Sequence, residues 1–89
     1  MEEKQIQKIM TILSEWNPLK DRAANIPDLD GYRTEAIDIL CLIHSRSSET
    51  NVLNTVRTIL NEAFGLALNK DECIEAAKQI LMIAKEERL

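Results

Sequence analysis

The stretch NVLNTVRTILNEAFG, residues 51–65, decides the fold. Val52, Leu53, Val56, Ile59, Leu60, Ala63 and Phe64 recur at three- and four-residue steps, with Asn54, Thr55, Arg57, Thr58, Asn61 and Glu62 between them. That is the period of an amphipathic helix, with one face for a core and one for water. Gly65 suits the left-handed position just past a helix end, and Leu66 supplies the apolar contact that accompanies it. Beyond Leu68, Asn69 and Glu72 have the spacing of a capping box, with Asn in place of Ser or Thr. The spacing then predicts a last helix over 70–87, burying Cys73, Ala76, Ala77, Ile80, Leu81 and Ala84, its alanines letting a neighbour approach closely.

Towards the N-terminus, the polar run HSRSSETN (44–51) offers Ser47, Ser48 and Thr50 as competing caps for the helix at about 50–64. Before it, Ala36, Ile37, Ile39, Leu40, Cys41, Leu42 and Ile43 predict a helix over about 33–45 with almost no polar face. Such a helix is expected to be covered on most sides, at the centre of the fold. The first helix, about 2–16, carries Ile6, Ile9, Met10, Leu13 and Trp16 and is stopped by Pro18, which lacks an amide hydrogen. Between them, residues 17–31 hold both prolines and one of the two glycines. This irregular connection has room for one short helical turn through about Ala24, capped by Asn17.

The expectation is therefore an all-α domain over residues 1–89, a compact array of about four helices. Composition agrees: 45% hydrophobic residues over 89 positions is too apolar for disorder, and two Gly and two Pro are too few for a many-stranded sandwich. Only 3% of the chain is aromatic, so the core is aliphatic.

The formal charge of -4 and a pI near 4.9 have the wrong sign for binding phosphate backbones, so nucleic acid is not an expected partner. No apolar run nears the length of a membrane span, and no leader is visible in MEEKQIQK, which places the protein in the cytoplasm with no membrane partner. Cys41 and Cys73 both fall in apolar helical stretches and read as small buried hydrophobes in a reducing compartment.

Catalytic and metal patterns fail on their spacing. Cys41 and His44 share a helix face, but with Cys73 as the only further soft ligand they complete no tetrahedral set. Asp28, Asp30 and Gly31 are spaced like the middle of a calcium loop, yet Ile26 and Ile37 would occupy its first and last ligand positions. No phosphate loop, nucleophile elbow or paired-histidine zinc motif occurs, so no cofactor and no metal are implied and the chain is read as non-catalytic.

The remaining signal is placement. Of one Trp, one Tyr and one Phe, two stand at the ends of the irregular connection. Trp16, Asn17, Pro18, Asp28, Asp30, Tyr32, Arg33 and Glu35 are accordingly the candidate binding residues, as an exposed recognition patch on a rigid scaffold. The competing expectation is that both rings plug the loop onto the helices and Arg33 pairs with a nearby acid.

Trp16-Asn17-Pro18-Leu19, the run from Pro27 to Glu35 leading into an apolar helix, and the Leu53 to Gly65 helix together resemble the YugE-like group of small bacterial proteins. Asn17 stands where that pattern favours Asp, and Lys20 and Arg22 precede the acids. The resemblance implies four helices in a bacterial cytoplasmic protein and supplies no activity. The resulting expectation is an interaction or regulatory module, with an antitoxin or immunity-like protein as a special case. Its partner would be another protein or a second copy, the latter giving a homodimer through apolar helix faces. A ligand-binding protein or enzyme using His44, Cys41 or a carboxylate pair is the further alternative.

Overall fold

Pro18 ends the first helix where its chemistry requires. In the computed structural model, which describes residues 3–20, 24, 26, 29–44 and 46–86, helix α1 spans Glu3–Trp16. Asn17 follows at φ 49°, the left-handed position that glycine usually fills and asparagine tolerates. Its amide still reaches the Leu13 carbonyl at 2.7 Å. The expected role of Asn17 as a side-chain cap is corrected in part: its Oδ1 accepts from the Tyr32 hydroxyl, while its carbonyl accepts the Lys20 amide at 3.0 Å and so opens the turn that follows. Most of the short turn expected up to Ala24 lies outside the described residues.

Helices α2 (Arg33–Leu42), α3 (Glu49–Phe64) and α4 (Lys70–Glu86) complete the array, and the described residues contain no strand. Among the competing caps Ser48 prevails, its hydroxyl accepting the Asn51 amide at 3.0 Å. Gly65 takes φ 63°, and the Gly65 and Leu66 amides both return to the Asn61 carbonyl. The Asn69–Glu72 box forms in both directions, at 2.9 and 3.2 Å. Between these caps the Asn61 side chain brackets the Leu68 backbone while Arg57 Nε donates to the Leu68 carbonyl at 2.9 Å, turning α3 and α4 into an αα-hairpin. Helix α1 packs on both α2 and α4, and α2 also meets α3. Ile9, Leu13, Ile39, Val52, Val56, Leu60, Cys73 and Ile80 form the fully enclosed centre. All six stripe residues expected on α4 are buried, together with Ile83.

Helix α2 departs from its expectation in two ways. It ends at Leu42 rather than Ser45, because Ile43 swings into an extended conformation and buries its side chain. The polar run supplies the substitute bonds: the His44 amide donates to Ser47 Oγ and the Arg46 amide to His44 Nδ1. Short polar side chains offer the backbone such local alternatives to a helix. The helix is also covered on one face only. Glu35, Ala36 and Ile39 point inward, whereas Leu42 is 64% exposed and Cys41 is exposed, so Cys41 is not the buried thiol expected of it. Cys73 is fully enclosed, and burial pushes its thiol pKa up. No helix among the described residues is long and apolar enough to cross a membrane.

The entry to α2 gathers three left-handed residues in a row, more than any other stretch of the described residues. Asp30, Gly31 and Tyr32 form a single turn with φ of 44°, 63° and 67°, all left-handed. The Tyr32 amide bonds the Leu29 carbonyl at 2.9 Å, closing the turn. For a residue with a Cβ this conformation costs roughly 1–2 kcal/mol, so two of the three positions are held against their preference. At Gly31 a Cβ would stand 3.3 Å from the Met10 methyl as well. Gly31→Ala should lower stability by about 1–2 kcal/mol, measured as a shifted urea midpoint with unchanged slope.

Candidate functional site

What that left-handed turn achieves is the placement of Tyr32. Its ring is 2% exposed and meets Phe64 of α3 edge-on, with centroids 6.0 Å apart and planes at 88°. Its hydroxyl donates to Asn17 Oδ1 at 2.8 Å and accepts the Leu19 amide at 3.4 Å. Burial raises the phenol's pKa and keeps it a neutral donor. One side chain thus ties the exit of α1, the buried Leu19 and the entry of α2 to the core. Of the two rings expected to plug the connection onto the helices, Tyr32 does so, through Asn17 and Leu19.

The charged candidates divide. Arg33 forms a two-pronged pair with Glu3, both contacts at 2.6 Å, and the guanidinium holds the Glu3 carboxyl down to about 2. Glu35 is 8% exposed, and its Oε1 is buried with no hydrogen-bond partner among the described residues. Burial, and secondarily the charge of Asp38, raises its pKa. The expected exposed patch is corrected here: Tyr32 and Glu35 face inward because the left-handed turn rotates the start of α2 towards the core. Asp30 is exposed, Pro18 is half-buried, and Asp28 lies outside the described residues.

Trp16 is placed differently. It is half-buried on the last turn of α1, with one side against the core. The other side opens onto a groove of about 270 Å³ between α1 and α4, lined by Ile12, Trp16, Ala76 and the carboxyl-bearing Glu15, Glu72 and Glu75. Sequence reading missed the α4 wall, because nothing in one chain says that α4 lies beside α1. The available signal was positional: 72, 75, 76 and 79 share one helix face, and alanine at 76 leaves a hollow beside the indole.

Two shallower depressions differ in character. One, between α3 and α4, combines Leu53, Ile74 and Ala77 with Glu49 and Lys78, so its charges balance. The other, beside Leu42, is lined chiefly by Asn and Thr of α3. Cys41 and His44 are both exposed while Cys73 is enclosed in α4. Among the described residues no three His, Cys, Asp or Glu side chains converge as a metal site, the three glutamates of the groove included.

Compared with known families, residues 8–88 match the model of DUF1871, a domain of unknown function. The chain belongs to the DUF1871 family. No curated protein and no solved structure matches it.

Two substitutions test the interior of the site. Tyr32→Phe strands the buried Leu19 amide and should cost about 1–2 kcal/mol of unfolding free energy in urea. Glu35→Gln tests the raised carboxyl pKa. As pH rises, the unfolded chain releases that proton first, so the native protein loses stability until its own Glu35 ionises. The Gln variant should match wild type at pH 4 and exceed it at pH 7, compared by urea midpoints.

Proposed function

We propose that this protein is a small, non-catalytic protein-binding module that presents Trp16 to its partner from the end of α1. The observation that carries the reading is the half-buried indole forming one wall of the α1–α4 groove. Large aromatic residues that are anchored on one side and open on the other are the side chains on which interfaces concentrate their energy. The neighbouring Tyr32, Asn17 and Leu19 serve the module by fixing the backbone just past Trp16, a rigid mount for a contact residue. The bacterial cytoplasmic setting implied by the YugE-like resemblance belongs to this proposal. So does the special case of an inhibitor of the antitoxin or immunity kind.

A second reading, a homodimer through apolar helix faces, is favoured by Leu42 and Met82, each 64% exposed. Scattered single apolar residues are common on surfaces, which makes this the weaker reading. Sedimentation at tens of micromolar separates the two, since a monomer contradicts the dimer and leaves the module intact.

The module is tested by filling its groove. Gln79 is exposed at the groove margin, so Gln79→Tyr adds bulk without altering charge or core. Affinity capture with this variant should lose the partner recovered by wild type, while Leu42→Ser retains it and helical circular dichroism is unchanged in both. Equal partner recovery by Gln79→Tyr and wild type overturns the reading.

A further inference from the structure

The groove beside Trp16 is one-sided in charge. Its walls carry three carboxylates and, among the described residues, no Lys or Arg. Lys8, one helical turn before Ile12 on α1, is held by Glu86 at 2.7 Å. The carboxylates are only partly occupied. Glu72 accepts the Asn69 amide through Oε1 alone, Glu75 receives one long bond of 3.4 Å from Gln79, and Glu15 has no ion pair among the described residues. Beside them lie the aliphatic Ile12 and Ala76 and the indole of Trp16.

At about 270 Å³ the groove lies below the roughly 300–1,000 Å³ of small-molecule sites, so it suits an inserted side chain better than a free metabolite. A phosphate, a nucleic acid or an acidic peptide would meet three like charges. Arginine matches every wall: an aliphatic stem for Ile12 and Ala76, a planar cation for indole, and donors for carboxylates. Resting on the module reading above, we infer that the α1–α4 groove takes an arginine side chain from a basic segment of the partner protein. Trp16 is its aromatic wall, and Glu15, Glu72 and Glu75 meet its guanidinium. The protein's net charge of -4 favours the approach of such a segment over long range.

Trp16 is the only tryptophan in the chain, so its fluorescence reports on this groove directly. The probe is a capped peptide of alternating arginine-alanine blocks, free of aromatics, titrated against the full chain. The comparison peptide carries citrulline, a neutral near-isostere, at each arginine. The expected result is a saturable change in Trp16 emission with the arginine peptide and binding at least about tenfold weaker with citrulline. Affinity should fall severalfold between 50 and 200 mM salt. Glu15→Gln with Glu75→Gln should weaken binding by about tenfold while leaving the helical spectrum unaltered. Equal binding of the citrulline peptide overturns the cationic partner and leaves the groove as a docking surface. Saturation by spermidine at the same concentration as the peptide overturns a protein source for the cation. No response to either peptide at millimolar concentration overturns the inference. If Gln79→Tyr then also retains the native partner, the module reading falls with it.

Discussion

The Tyr32 hydroxyl, bonded to Asn17 and Leu19, is the contact on which the arrangement of the four helices turns. Without it, α1 would still be a helix, because its amphipathic stripe and its stop at Pro18 are local to the first eighteen residues. The exit of α1 and the entry of α2 would lose the bonds that tie them to one another, however, and only helix packing would hold them together. The protein accepts two strained non-glycine residues in the turn before α2 in order to point that one ring inward. Strain of this kind persists only where surrounding contacts over-determine it. Here the Phe64 ring and the polar contacts at Asn17 and Leu19 do so.

The helices themselves were legible because each boundary had a local chemical cause. Pro18 stops α1, Ser48 starts α3, Gly65 ends it, and the Asn69–Glu72 pair starts α4, all within a residue or two of where spacing puts them. Helix α2 was read less well, for a reason that periodicity cannot see. A run with almost no polar positions gives no hint of which face is inward, and Glu35, a charged residue, turned out to face the core while Cys41 and Leu42 faced water. The left-handed turn was equally hidden, since Asp and Tyr at such angles reflect tertiary demand rather than preference.

The candidate site was half legible. The unusual placement of aromatics drew attention to Trp16 and Tyr32, but the sequence could not divide their work: one ring is an internal strut and the other is the open wall of a groove. Nor could it supply the facing glutamates, which lie some sixty residues downstream and become neighbours only through the contact of α1 with α4. Side chains that face one another across a helix pair belong to the fold rather than to any motif.

That distance along the chain has a thermodynamic meaning. The α3–α4 hairpin is local and can close early, whereas α1 must be brought back across the whole intervening sequence before Trp16 has an opposite wall. Any fluctuation that lifts α1 away destroys the groove, even if the hairpin stays intact. An occupant of the groove would therefore act as a clasp on the closed chain. Its binding free energy would be shared with the closure of the bundle, and the populations of loosened states would fall in proportion to how much of it is present.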